Sequence, residues 1–306
     1  MSRERAAIIL AAGQGTRMKS DLPKVLHPVG GRPMLDWAIQ AARDVGAAKV
    51  VVVAGAHAPS VGAHALKALG PGSAAVQDPP LGTAHAVRAA EAALAGFDGD
   101  VVILYGDAPF VPAARIEAMF ALRAEKGGLV VLGFEAADPS GYGRLIEGEG
   151  GALDRIVEHK DASEAERAVR LCNSGVMCAD AKVLFQLLSM VKNENAKGEY
   201  YLTDIVALGR SAGFKTHIVR GPESDALGAN SRAELAAAEA VFQRRTRLAM
   251  MDAGVTLIDP ESVYFSYDTE IANDVVIEPN VYFGLGVKIA KRVFKVQQVV
   301  SKGMNE

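Results

Sequence analysis

Cysteine is almost missing from this chain of 306 residues, which has only Cys172 and Cys178. On a single strand, residues six apart lie about 20 Å from each other, too far for a disulfide. Their even spacing puts both on one face, so they read as two reduced core thiols. The six histidines are scattered, with no His-Glu-x-x-His pattern and no Cys/His cluster, which argues against a zinc site. No apolar run approaches the ~20 residues a membrane span needs. Met1-Ser2-Arg3-Glu4-Arg5 leads directly into a short strand-like segment and not into a signal-peptide apolar core, so the expected location is cytoplasmic. A large excess of either charge is missing too. The net charge is −3 and the pI about 6.1, which speaks against a general nucleic-acid binder.

What is present is a hydrophobic fraction of 50%, enough for a full core in one large domain or two smaller ones. The most informative stretch is the start. Ala6-Ala7-Ile8-Ile9-Leu10 runs into Ala11-Ala12-Gly13-Gln14-Gly15-Thr16-Arg17-Met18, and Leu22-Pro23-Lys24 follows. A strand that stops at small residues and glycines lets backbone N–H groups approach phosphate oxygens. Arg17 and Lys24 supply counter-charge for such an anion. The loop also invites comparison with a dinucleotide fingerprint. Against that reading, Met18 stands where a third glycine belongs, and Ala54-Gly55 stands where an acidic residue would follow the second strand. Taken alone, the loop is also compatible with a plain strand-to-helix turn, and its two cations with a solvated surface.

Short apolar runs at Ala6–Leu10, Val50–Ala54, Val101–Tyr105 and Leu129–Phe134 read as strands. Met34–Val45, Thr83–Leu94, Ala113–Lys126 and Ala181–Val191 read as helices. This alternation predicts a mixed, mostly parallel α/β sheet covered by helices on both faces. Ligands of such sheets bind beyond the carboxyl ends of the strands, where both the Gly13 loop and Tyr105-Gly106-Asp107 fall. Ser231, with Glu234 three residues on, has the pattern of a capping box and opens a long helix that ends near Gly254 and reads as a connector.

Beyond Gly254 a period of six sets in. Phe265, Ile271, Ile277, Phe283 and Ile289 are each followed four residues later by Thr269, Val275, Val281, Val287 or Val293. Hexapeptide periodicity predicts a parallel β-helix, three repeats completing one triangular coil. The pattern breaks at Lys295, and 295–306 shows no period. A coil this short has an open sheet edge, so the tail is expected to fray or to be protected by another chain.

Several strings resemble one family: Leu10-Ala-Ala-Gly-Gln-Gly-Thr-Arg-Met18, Asp21-Leu-Pro-Lys-Val-Leu-His27, Leu81-Gly-Thr-Ala-His85, Gly141-Tyr-Gly-Arg144, Ile156-Val-Glu-His-Lys-Asp161 and Asn195-Ala-Lys-Gly-Glu-Tyr-Tyr-Leu-Thr-Asp204. It is the family of bacterial bifunctional N-acetylglucosamine-1-phosphate uridyltransferase/glucosamine-1-phosphate acetyltransferases, and the likeness runs from about residue 5 to about residue 290. The resemblance implies a Rossmann-like nucleotidyltransferase domain over 1–230, a linker helix over 231–254, and a short left-handed parallel β-helix with an unmatched tail over 255–306.

The implied reaction joins UTP and N-acetylglucosamine 1-phosphate into UDP-N-acetylglucosamine and pyrophosphate, with Mg²⁺, for peptidoglycan and lipopolysaccharide precursors. Carried over position by position, Leu10, Ala11, Ala12 and Gly13 line the nucleotide. Arg17 and Lys24 act on the phosphates as the catalytic cations. Gln77, Gly82 and Thr83 read the uracil or the sugar side of the cleft, with Tyr105 and Gly106 beside them. Asp107 and Asn230 ligate the metal, and Gly143, Glu158 and Asn173 hold the sugar.

Without the family, Asp107 reads equally as a turn or cap residue before Pro109, Asn230 as a neighbour of an N-cap, and Glu158 as an exposed strand residue. His159-Lys160-Asp161 reads as a solvated turn, and His85, Tyr200 and Tyr201 receive no chemistry. Cys172 before Asn173 and Ala108 after Asp107 depart from the family pattern, both by small apolar changes. The residues of an acetyltransferase site are not in the sequence, so acetyl transfer is not expected. A homotrimer, the family habit, is expected to be weakened. The rival readings are transfer to another sugar 1-phosphate and a non-catalytic oligomeric module.

Overall fold

The computed structural model describes residues 3–291. The chain divides into two compact units: 1–26 with 35–228, and 27–34 with the chain from 229 onward.

The first unit is built on a nine-stranded sheet. Along its main path the strands are Thr216–Gly221, Leu129–Glu135, Leu171–Asp180, Gly99–Tyr105, Glu4–Ala11, Lys49–Gly55 and Ala74–Gln77. All neighbours on this path are parallel except Leu171–Asp180, which runs antiparallel to both strands flanking it. A hairpin of Arg144–Glu147 and Leu153–Val157 branches off through the single pairing of Arg144 with Cys172.

Alternation along the strands sends side chains to two cores. Ala6, Ile8, Leu10, Val101 and Ile103 face one side, with Ala84, Val87, Leu184, Leu187 and Ile205 from the helices there. Ala7, Ile9, Ala11, Val102 and Leu104 face the other, against Leu35, Ile39, Val61, Ile116 and Phe120. A strand buried on both faces has no polar position, which is why these segments are unbroken apolar runs.

The four expected strands are present, each longer by one to three residues. The four expected helices are present at Met34–Asp44, Thr83–Ala89, Ala113–Lys126 and Ala181–Met190, the second relaxing into a 3-10 turn at Ala92–Leu94. Leu171–Asp180 carries both thiols, which are buried and free. The bulge between Asn173 and Met177 leaves Cys172 opposite Phe134 and Cys178 opposite Val130, positions on the same face of the neighbouring strand.

The first strand lies inside the sheet. The chain leaves it towards Lys49–Gly55 and returns on its other side as Gly99–Tyr105. That reversal is the topological switch point where open α/β sheets bind ligands.

In the second unit, Arg232–Asp252 is a 21-residue helix whose Ser231 cap accepts from the Glu234 N–H. The helix does more than connect. Gln243 is buried and donates to the Phe265 carbonyl at 2.7 Å while accepting from the Phe265 N–H at 2.8 Å. Arg247 donates to the Val263 carbonyl at 2.9 Å. The hairpin of Pro28–Val29 and Arg32–Pro33 belongs to this unit, and the Gly30 N–H donates to Glu239 at 2.7 Å. Gly30 has φ +59°, and a Cβ there would strike the Phe242 ring at 2.5 Å, so both its conformation and its clearance require glycine.

After the helix the chain stacks on itself in parallel. Leu257 pairs with Ile277, Tyr264 with Tyr282 and Ile271 with Ile289, intervals of 20, 18 and 18 residues that match about three hexapeptides per coil. The period-six residues fill the interior: Phe265, Ile277, Phe283, Thr269, Val275, Val281 and Val287 are buried, with Ile271 and Ile289 packed against them. Phe265 and Phe283 stack at 5.2 Å with 14° between their planes. Val293, Lys295 and the tail to 306 lie outside the described residues.

Candidate active site

The register of the sheet brings two loops together. Leu10 is opposite Tyr105, and the Gly106 N–H donates to the Leu10 carbonyl at 2.9 Å. Gly13 and Asp107 thus leave adjacent strands at the same edge. Lys24 comes back over this edge from the short 3-10 turn Lys24–Leu26, and its ammonium donates to Asp107 Oδ2. A Cβ on Gly13 would lie 3.8 Å from Lys24 Nζ, so the ammonium stands beside the glycine backbone. Gly15, at φ +63°, would place a Cβ 2.7 Å from the Lys24 Cβ. Only glycine lets the turn fold this tightly over the lysine. Arg17 sits exposed on the 3-10 turn Thr16–Met18, which Met18 anchors in the interior. An exposed arginine, a lysine–aspartate pair and a glycine backbone at one sheet edge offer the kind of counter-charge and backbone donors that a polyphosphate needs.

Gln77 ends the edge strand opposite Gly55. Its buried amide donates to the Gly82 carbonyl at 2.9 Å and lies 3.2 Å from His85 Nδ1. Gly82 has φ +112° and would drive a Cβ to within 2.5 Å of the Tyr200 carbonyl. That closeness lets the Tyr200 N–H reach the Leu81 carbonyl at 2.8 Å and the Ala84 N–H reach the Tyr200 carbonyl at 2.9 Å. Thr83 Oγ1 accepts from the Leu202 N–H at 3.0 Å. Gln77, Gly82 and Thr83 therefore form one fixed loop, stapled to 200–202.

A third group gathers around Glu158. A Cβ on Gly143 would lie 3.5 Å from Glu158 Oε1, and the Gly143 carbonyl accepts from the Asn173 N–H at 2.9 Å. Asn173 stands at the bulge, its Oδ1 accepting from the Gly175 N–H at 2.9 Å. Gly175, at φ +89°, leaves room for the Tyr105 ring, which a Cβ would approach to 2.6 Å. Gly143, Glu158, Asn173 and Tyr105 are thus linked side by side.

Burial raises the Glu158 carboxyl above its usual range, opposed by the Thr203 hydroxyl, which donates to it at 3.3 Å, and by Lys197. The Tyr105 hydroxyl is raised by burial first, then by Glu158 and Asp107. Asp204 is pushed up to about 6 by burial and by the charges of Glu158 and Asp161. Carboxyls raised by burial and by one another, as Glu158 and Asp204 are, make this group a candidate for function.

Asn230 lies in the second unit, where its backbone and side-chain N–H groups donate to Glu234 at 2.8 and 3.2 Å. Among the described residues no group of three or more His, Cys, Asp or Glu could hold a metal ion. The oxygen of Asp107 suits a hard cation, and a single carboxylate fits an ion whose other ligands are phosphate and water.

Sequence reasoning missed four residues here. Thr203 donates to Glu158 from 45 positions away. His85 touches Gln77. Tyr201 is buried with no hydrogen-bond partner for its hydroxyl, which burial and nearby carboxylates push up to about 12. Arg144 is fully buried and donates to the Tyr142 carbonyl and to the Arg167 carbonyl at 3.4 and 3.3 Å. All four lie in strings that carry the family resemblance, but nothing in those strings told which partner each would meet.

A family model described as "MobA-like NTP transferase domain" matches residues 7–194. The "Bifunctional protein GlmU" of Hyphomonas neptunium is 56% identical over 288 residues, covering 94% of this chain and 62% of that protein. The protein of the same name from Caulobacter vibrioides is 54% identical over 288 residues, with the same shares covered. This chain therefore spans about 62% of the length of these curated relatives. A crystal structure of UDP-glucose pyrophosphorylase complexed with UDP-glucose superposes with a TM-score of 0.64 at 19% identity, over 79% of this chain and 99% of that one. At that identity the likeness is one of fold. Among the described residues no helix is long and apolar enough to cross a membrane.

Proposed function

This chain belongs to the MobA-like NTP transferase family, and on that premise we propose that it transfers UMP from UTP to N-acetylglucosamine 1-phosphate, releasing pyrophosphate. One observation carries the reading: Lys24 bridges the glycine loop and Asp107 at the switch point of the sheet. More than half identity to proteins named GlmU supports the choice of sugar phosphate.

The attacking oxygen of a sugar phosphate is already anionic. The reaction thus needs neither a side-chain nucleophile nor a strong general base. Its barrier is the repulsion of two anions and the demand for an in-line approach to the α-phosphorus. Leu10, Ala11, Ala12 and Gly13 would present backbone at the nucleotide, and Lys24 would hold the α-phosphate as charge builds on it. Arg17, exposed on its turn, would take the departing β and γ phosphates. Gln77, Gly82 and Thr83 would fix the base, with Tyr105 and Gly106 flooring the cleft. Gly143, Glu158 and Asn173 would orient the sugar, whose hydroxyls suit a carboxylate and an amide.

Asp107 fits a divalent ion, which we take as Mg²⁺. Such an ion supplies positive charge to the phosphate oxygens when bound. Lys24 would then exchange its carboxylate partner for phosphate, so the Lys24–Asp107 pair is a resting arrangement of both groups. We place the reaction in the cytoplasm, in keeping with two buried free thiols. The stacked coils after residue 254 are read as a short left-handed parallel β-helix, too short to hold a homotrimer firmly.

The test is pyrophosphate release from UTP with N-acetylglucosamine 1-phosphate, beside glucose 1-phosphate. Preferred turnover of the N-acetyl substrate is expected. Equal rates with glucose 1-phosphate remove the sugar assignment, and no release with either removes the reaction.

A further inference from the structure

His85 received no role in the sequence reading, yet its ring is one of two groups that hold the Gln77 amide. The other is the Gly82 carbonyl, and it decides the orientation. A carbonyl only accepts, so the amide atom 2.9 Å from it must be the nitrogen. The same nitrogen lies 3.2 Å from His85 Nδ1. An amide nitrogen only donates, so Nδ1 must carry the lone pair and the ring proton must sit on Nε2. Both amide hydrogens are then committed, one to Gly82 and one to His85. Among the described residues no hydrogen bond reaches Gln77 Oε1, so an acceptor is all that this side chain offers a ligand.

We propose that His85 is a specificity-determining positioning residue: by accepting from Gln77 it locks the amide oxygen as the group presented to the nucleobase. The inference rests on the uridylyl-transfer reading and deepens it. A pyrimidine with a ring N–H, as in uracil, finds its acceptor; cytosine, with a ring lone pair at that position, meets oxygen against nitrogen. Sites built on a buried hydrogen bond discriminate strongly against a mismatched partner. Without His85 the amide keeps only the Gly82 contact, and its oxygen is less firmly presented. The His85 ring borders an open cavity of about 390 Å³, shared with Arg88, Leu81 and Tyr200, so a change at this position does not open a hole in the core.

The experiment compares kcat/KM for UTP and CTP in the unaltered protein, His85→Phe and His85→Asn. Phenylalanine keeps the ring and removes the acceptor; asparagine returns an acceptor near the place of Nδ1. The UTP-over-CTP ratio is expected to fall about tenfold in His85→Phe and to recover in His85→Asn. A merely structural role would lower both nucleotides together and leave the ratio alone, and that result overturns the proposal. If His85→Phe does not fold, His85→Ala makes the same comparison. Loss of UTP turnover in the unaltered protein would instead defeat the uridylyl reading. The tautomer is read separately by ¹⁵N NMR of the unliganded protein: a proton on Nε2 with Nδ1 accepting is expected, and a proton on Nδ1 overturns the proposal whatever the nucleotide.

Discussion

The cationic and acidic ends of the candidate cleft are built by different means. Around Lys24 the machinery is backbone and cations on the ends of two central parallel strands, clamped by the Gly106–Leu10 hydrogen bond and by a turn that only glycine allows. Around Glu158 it is side chains on less regular elements: the branched hairpin, the bulge at Asn173 and the loop bearing Thr203. Phosphate is the same anion on every nucleotide, so a rigid and generic receptor suffices for it. A sugar must be told from its relatives, which needs several side chains of fixed donor or acceptor sense. On the proposed reaction, changes near Lys24 are expected to act on the rate with every substrate, and changes near Glu158 on the choice and affinity of the sugar.

The largest effect is expected from Lys24→Ala. On the proposed reaction it takes a cation away from the transferred phosphate and should cost about 3–4 kcal/mol of transition-state stabilisation, read as a loss of some two to three decades in kcat with the KM for the sugar phosphate little changed. A normal rate would end the phosphate assignment. Next is Asp107→Asn, which should raise the metal concentration for half-maximal rate at least about tenfold by removing the carboxylate; an unchanged metal titration would take Asp107 out of the ligand set.

Glu158→Gln should be smaller and of another kind. The KM for the sugar phosphate should rise by roughly tenfold, with a lesser change in kcat, since an acceptor oxygen is kept and the charge is lost. If kcat fell as it does in Lys24→Ala, the division between the two ends would be wrong.

The smallest effect concerns stability. Asp204 titrates at about 6 in the folded chain, above its ordinary 3.8. The folded state thus binds a proton more readily than the unfolded one, and the favourable contribution below the unfolded value is lost as pH rises through about 6. Asp204→Asn should therefore match the parent near pH 4 and melt a few degrees higher near pH 7. A melting difference that does not widen over this range would deny that burial, together with Glu158 and Asp161, raises this carboxyl.

The two ends also differed in how plainly the chain announced them. The Gly13 loop and Asp107 lie at the ends of apolar runs whose composition marks a strand buried on both faces, so their common edge is readable from the sequence, with Lys24 following the loop. Thr203, Tyr201 and His85 were not, because their meaning lies in their partners. Thr203 meets Glu158 across 45 residues, and His85 matters only because Gln77 turns its nitrogen towards it. The hairpin Arg144–Val157 was missed for a related reason: its strands are short and partly polar, with glycines in the turn between them, and a fully buried Arg144 gives no apolar signal at all.

Local chemistry settled what depends on period and on neighbours in the chain. The double-faced strands, the Ser231–Glu234 cap and the six-residue spacing that buries Phe265, Ile277 and Phe283 all follow from side chains a few positions apart. Folding alone settled the pairing of strands, the inclusion of 27–34 with the C-terminal unit, the orientation of the Gln77 amide and the raised carboxyls. Those outcomes depend on distance, dielectric and donor direction between groups far apart in sequence, quantities that come into existence only when the chain is packed.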